Sequence, residues 1–244
     1  MVLFLTSSPG GSTFDEKGVR IPCPLDERNS FVTLLKEHIP AQIKCLFVSS
    51  APDDLERNEG VRSNFETAFK LSGIEVIKTE CLDGRSGEIT AEYLDEFDLL
   101  ILTGGHVPTQ NAFFEKVGLR EKIAGYKGVV VGISAGTMNS ARVVYAMPEL
   151  EGESLDKGFK RFIPGLGLTE SMVIPHYQYL KTITLDGKKM MEEIAYPDSM
   201  GRRFYALCDG SFILRKDGKE TIYGEAYIIE DGVIRQICCD NQIV

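Results

Sequence analysis

The chain has 244 residues, of which 43% are hydrophobic and 26% charged, and it carries a net charge of -9. That size and composition suit a folded protein with a substantial buried core. The acidic balance disfavours nucleic acid or an anionic membrane as a partner, because no surplus of Lys or Arg exists to neutralise phosphates.

In chain order, Val2–Thr6 is a short apolar run that reads as a strand, and a Ser/Pro/Gly loop follows through Ser12. Arg28–His38 carries Phe31, Leu34 and Leu35 at helical spacing and stops before Pro40. Ile43–Ser49 is a second apolar strand, and Asp53–Leu71 is a charged helix with an apolar face that Gly73 ends. Ile74–Thr79 reads as a third strand, Ala91–Phe97 as a short amphipathic helix, and Leu99–Thr103 as a fourth strand running into Gly104-Gly105. The pattern predicts a helix over Thr109–Ile123 and a strand over Gly128–Ile133. Short strands alternating with helices predict a mostly parallel sheet with helices on both faces, a three-layer α/β architecture.

After Val144 the pattern changes. Pro148–Lys160 and Pro164–Leu168 read as loops, Ser171–Ile174 as a strand leading to Pro175-His176-Tyr177, and Asp186–Ala195 as a helix ending before Pro197. From Arg203 onward the chain reads as antiparallel strands joined by turns: Phe204–Cys208, Phe212–Arg215, Ile222–Ile229 and Val233–Cys238. No repeat or linker divides residues 1–244, so a single domain is expected. The N-terminal apolar run has no basic flank and is too short for a signal peptide, and no stretch approaches the roughly eighteen apolar residues of a membrane span. The six cysteines show no C-x-x-C spacing, so free thiols in a reducing cytoplasm are expected and no metal or cofactor is implied.

The chemistry concentrates at Gly132-Ile133-Ser134-Ala135-Gly136, which follows the β-branched run Val129–Val131 and opens a helix-compatible segment. This is the G-x-S-x-G pattern between a strand and a helix, where a sharp turn lifts the serine hydroxyl above the sheet edge. The amide of Ala135, at the helix start, can then face a developing oxyanion. A serine nucleophile needs a base, and the chain holds three histidines. His38 sits in a helix C-terminal turn, where a structural role explains it. His106 follows Gly104-Gly105 at a strand end and reads as a substrate or loop contact. His106 and His176 are then the two available bases, with His176 the stronger candidate. Among 36 Asp and Glu residues, Asp209 at a strand end is well placed to orient an imidazole, with Asp198, Glu170 and Glu149 also open.

Together the pieces resemble the peptidase E family of serine peptidases, the aspartyl dipeptidases and cyanophycinases. The resemblance rests on Leu102-Thr103-Gly104-Gly105, Gly132-Ile133-Ser134-Ala135-Gly136, Met147-Pro148, Pro175-His176-Tyr177 and Leu207-Cys208-Asp209-Gly210-Ser211-Phe212, in the family's order. It implies a fold like that of class I glutamine amidotransferases, with Ser134 as nucleophile, His176 as base and Asp209 as acid. The Gly105 amide would join that of Ala135 in the oxyanion hole, and His106, where the family has Asn, would contact substrate. The family's Asp before Met-Pro is Ala146 here. Its substrate-binding cation has no secure counterpart, Lys181, Lys188 and Lys189 being the cations of that stretch. The expected activity is serine exopeptidase action on short peptides, with N-terminal aspartate as an open preference. A cyanophycinase-like hydrolase of an aspartyl polymer, or an inactive binding relative, are the rival readings. A homodimer through the C-terminal strand edge is the remaining partner expectation.

Overall fold

The computed structural model describes residues 1–244. The first half comprises β1 (Val2–Thr6), β2 (Gly10–Phe14), β3 (Arg20–Leu25), α1 (Phe31–Lys36), β4 (Gln42–Val48), α2 (Leu55–Leu71), β5 (Glu75–Leu82) and α3 (Ala91–Asp95). Then follow β6 (Leu99–Leu102), α4 (Val107–Lys116), α5 (Leu119–Ile123), β7 (Val129–Ile133), α6 (Ala135–Asn139), β8 (Val143–Tyr145), β9 (Phe162–Pro164), β10 (Met172–Ile174) and α7 (Tyr177–Leu180). The last part holds β11 (Thr184–Leu185), β12 (Lys188–Lys189), a π-helical turn over Met190–Ala195, α8 (Tyr196–Asp198), β13 (Arg203–Leu207), β14 (Phe212–Lys216), β15 (Lys219–Tyr223), β16 (Ala226–Glu230) and β17 (Val233–Cys238).

A seven-stranded sheet in the order β15-β14-β1-β7-β6-β4-β5 forms the centre, and its strands from β1 to β5 are parallel. The strand sequences explain its double burial. Leu46, Val48, Leu100, Leu102 and Val130 join one core with Phe113 and Phe114 of α4 and Leu119 and Ile123 of α5. Their neighbours Cys45, Phe47, Leu99, Ile101, Val129 and Val131 join the opposite core with Phe31 of α1 and Ala68 and Phe69 of α2. Apolar residues at every position, rather than every second one, are what a strand covered on both faces requires. β14 and β15 extend this sheet as an antiparallel edge, while β10-β13-β16-β17 form a second sheet in which only β10 and β13 run parallel. The architecture is thus α/β with C-terminal antiparallel strands. No helix is long and apolar enough to cross a membrane.

Four segments fold differently from their sequence pattern. The glycine-rich stretch read as a loop through Ser12 is instead β2, paired with β3 and packed on α2, so tertiary contact overrides its weak strand propensity. The helix expected over Thr109–Ile123 is two helices, α4 and α5, parted at Gly118. Asp186–Ala195, expected as a helix, begins as a hairpin whose Asp186 and Gly187 have φ of 51° and 79°, the positive values a tight two-residue turn demands. The single strand expected over Ile222–Ile229 divides, because the chain leaves β14 in the large sheet and reaches β13 in the small one.

The crossing of β7, α6 and β6 is close. A Cβ on Gly136 would lie 2.6 Å from the carbonyl carbon of Leu102 in β6, closer still to its oxygen and 2.7 Å from its Cβ, none of which a side-chain rotation can move aside. Gly136→Ala is therefore expected to cost about 3 kcal/mol or more by overpacking, read as a drop in the urea midpoint.

Candidate active site

β7 ends at Ile133, and Ser134 turns the chain into α6 with φ 50° and ψ −109°. That backbone conformation is sparsely populated for a residue with a Cβ and costs on the order of 1–3 kcal/mol. The neighbouring strand β1 holds it in place. The Thr6 carbonyl accepts from the Ser134 amide at 3.2 Å and from the Thr137 hydroxyl at 2.7 Å. The Thr6 hydroxyl in turn donates to the Gly132 carbonyl at 2.7 Å.

His176 and Asp209 come from the second sheet. β10 and β13 pair in parallel with Ile174 beside Ala206, so the residues just beyond their carboxyl ends emerge side by side. His176 Nδ1 lies 2.7 Å from Asp209 Oδ1. An ionised carboxylate can only accept, so the proton of this bond sits on Nδ1 and Nε2 is left as an acceptor. Burial works against ionisation of Asp209, but the hydrogen bond and charge of His176, with the hydroxyl of Ser7, outweigh it and hold the carboxyl below its ordinary value. The Asp209 amide donates to Gln178 Oε1 at 3.1 Å, and Arg28 Nη2 donates to the Asp209 carbonyl at 3.2 Å.

Ser134 and His176 line one cavity of about 740 Å³ at the carboxyl ends of the parallel strands, the position at which such sheets bind ligands. No hydrogen bond joins the Ser134 hydroxyl to the imidazole. Gly104 and Gly105 form the adjacent wall. The Gly104 carbonyl is held by the Ser50 hydroxyl at 2.5 Å and by Arg57 Nη2 at 3.3 Å. In a trans peptide the N–H points opposite the C=O, so this grip turns the Gly105 amide away from Ser50 and Arg57. Gly105 must be glycine, since a Cβ there would lie 2.8 Å from the Ser50 Cβ and 3.1 Å from Arg57 Nη2. The Ala135 amide is one of the first-turn donors that a helix leaves unpaired.

The rest of the lining joins the apolar Val61, Phe65 and Ile133 to polar and positively charged side chains. The hairpin β2–β3 contributes Ser12 and Arg20, and α2 contributes Arg57 and Asn64; no Asp or Glu lines the cavity. His106 lies outside it, with Nδ1 2.8 Å from the Thr109 hydroxyl and Nε2 2.9 Å from Glu153. Asp198 meets the Tyr145 hydroxyl and Arg161, Glu170 meets Arg142, and Lys188 donates to the Ser154 carbonyl, all away from the imidazole. The sequence reading missed Arg20, Arg57, Ser7 and Ser50. Arg57 carried a signal, because it lies in the first turn of the helix after β4, capped by Asp54, at the ligand end of the sheet. Arg20 opens β3, a stretch to which the sequence pattern assigned no element. No group of three or more His, Cys, Asp and Glu side chains is arranged to hold a metal ion.

No curated protein matches the sequence. Peptidase family S51 matches residues 26–223, most of the chain and all of Ser134, His176 and Asp209. The chain belongs to peptidase family S51. Among solved structures, this S51 chain is similar to a peptidase from an acI-B1 Actinobacterium, with 16% identity and a TM-score of 0.63 over 100% of this chain and 96% of that one. It is also similar to a candidate peptidase E protein from Listeria monocytogenes EGD-e, with 16% identity and a TM-score of 0.55 over 97% of this chain and 98% of that one. These likenesses show that the S51 chain shares the fold of its peptidase neighbours, and its mostly parallel sheet with helices on both faces is consistent with the class I glutamine amidotransferase-like fold.

Proposed function

We propose that this S51 peptidase is a serine-type exopeptidase of short peptides, organised as one catalytic domain. The observation that carries the reading is that His176, hydrogen-bonded to Asp209, lines the same cavity as a serine held on a strained strand-to-helix turn. His176 Nε2 takes the Ser134 hydroxyl proton as Oγ attacks the peptide carbonyl, and Asp209 stabilises the imidazolium. The oxyanion is met by the amides of Gly105 and Ala135. The imidazolium then gives its proton to the leaving amine. Water, deprotonated by Nε2, releases the acyl group from Oγ. The six free cysteines suit a reducing compartment such as the cytoplasm.

The cavity supports a substrate class as well. Arg20 and Arg57 form no ion pair within the protein and face the cavity with no lining carboxylate to balance them, so they favour a peptide carrying a side-chain or terminal carboxylate. A volume of about 740 Å³ suits a small ligand. The test is hydrolysis of a panel of dipeptides, amidated dipeptides and aminoacyl-nitroanilides, with products identified by mass. Arg20→Met is expected to lower kcat/KM about tenfold or more for carboxylate-bearing substrates and little for amidated ones. Arg57→Met should lower both, because Arg57 also grips the Gly104 carbonyl. Equal loss on both substrate types in Arg20→Met would sink the carboxylate reading. Turnover of a β-linked aspartyl polymer with none of the dipeptides would favour the cyanophycinase-like alternative.

A further inference from the structure

Ser7 lies just past the carboxyl end of β1, fully buried, and its hydroxyl makes two contacts across long stretches of chain. The His176 amide donates to Ser7 Oγ at 2.7 Å, and Ser7 Oγ donates to Asp209 Oδ1 at 2.6 Å. Asp209 Oδ1 thus receives two donors, the Ser7 hydroxyl and His176 Nδ1. Ser7 is itself anchored, its amide donating to the Ser211 carbonyl at 3.2 Å.

We infer that Ser7 is a positioning residue for the proposed hydrolysis, joining the backbone of the base to the carboxylate that orients it. A hydroxyl has one proton to give. With one of its lone pairs accepting from the His176 amide, its proton is directed at Oδ1, so carboxylate, imidazole and the His176 main chain are tied into one ring of contacts. Two features need such a tie. His176 has φ 58° and ψ 30°, a left-handed backbone that a histidine keeps only when its surroundings hold it. The Asp209 side chain is a quarter exposed, so without a second donor its carboxylate is free to rotate toward water and leave Nδ1. Ser134 and Ser7 both extend from the large sheet, so Ser7 also fixes the base relative to the nucleophile's own strand layer.

This inference rests on the serine-nucleophile reading, and the experiment separates the two. A fluorophosphonate reports nucleophile activation without knowledge of the substrate: Ser134 Oγ forms a bond to phosphorus, fluoride leaves, and the hydroxyl proton passes to His176 Nε2. Labelling rates would be measured for the wild type, Ser134→Ala, Ser7→Ala and Ser7→Cys, beside thermal midpoints and, for any cleaved dipeptide, kcat and KM. We expect Ser7→Ala to stay folded and to label about ten- to a hundredfold more slowly, with kcat reduced similarly and KM little changed. Ser7→Cys, which keeps the side-chain shape, is slightly larger and donates weakly, should behave alike and carries the comparison if Ser7→Ala does not fold. Wild-type labelling rates in either folded variant overturn the role of Ser7 alone. A wild type that is not labelled at Ser134 overturns the nucleophile reading, and the role of Ser7 with it.

Discussion

Ser134→Ala is expected to lower kcat about 10⁶-fold for any peptide the wild type cleaves, and to leave the protein folded. The size follows from the proposed chemistry: without Oγ no acyl-enzyme forms, and only binding and the oxyanion amides remain. Stability should change little, because the hydroxyl of Ser134 makes no hydrogen bond and Ala retains the Cβ that the turn already accommodates. The strain at φ 50° is carried by the backbone and persists in the variant. Initial rates on the best dipeptide of the panel, with circular dichroism melts alongside, check both statements. Residual turnover within a hundredfold of wild type would remove Ser134 from the mechanism.

The second large effect concerns Asp209. Asp209→Asn is expected to lower kcat about 10⁴-fold while KM stays within a fewfold. Two donors converge on Oδ1, from His176 Nδ1 and the Ser7 hydroxyl. An amide can offer both only its oxygen. If that oxygen faces Ser7 and the imidazole, the imidazolium of the transition state loses its counter-charge. If the amide is flipped, its NH2 meets Nδ1, forces the proton onto Nε2, and abolishes the base. The same carboxylate links stability to pH. Its value in the folded state is lowered, so its ionised form stabilises the fold above its unfolded value of about 4, and that contribution is lost as pH falls through the folded value. The stability gap between wild type and Asp209→Asn should accordingly shrink as pH falls below about 4, as measured by urea midpoints from about pH 5 downward.

The parallel core was legible because its strands are unbroken apolar runs: Val129–Val131 and Leu99–Leu102 can only be buried on both faces. Ser134 was legible for a related reason, since glycines flanking a serine between such a strand and a helix have few structural uses. With three histidines in the chain the search for a base narrowed to His106 and His176, the resemblance favoured His176, and the structure puts His176 in the cavity with Ser134. Asp209 was harder to pick, because a carboxylate that pairs across 33 positions leaves no local pattern; its strand-end position made it one of four candidates, and the resemblance chose among them. Strand-end position suggested His106 as a substrate or loop contact; its ring is turned toward Thr109 and Glu153, outside the cavity that holds Ser134. The cationic wall was the largest omission. Gly10-Gly11-Ser12-Thr13 carries no strand periodicity, and its folding over α2, which brings Arg20 to the cavity, is a tertiary event.

The two sheets divide the site between them. Ser7 and Ser134 lie at strand ends of the large sheet, while His176 and Asp209 leave the small one, and the chain passes from Asp209 straight into β14 of the large sheet. A molecule seated between Ser134 and His176 therefore works as a fastener. Because it binds only when the two sheets are docked, its binding free energy adds to the cohesion of the whole protein. A tight occupant of this seam is for that reason also a thermal protectant.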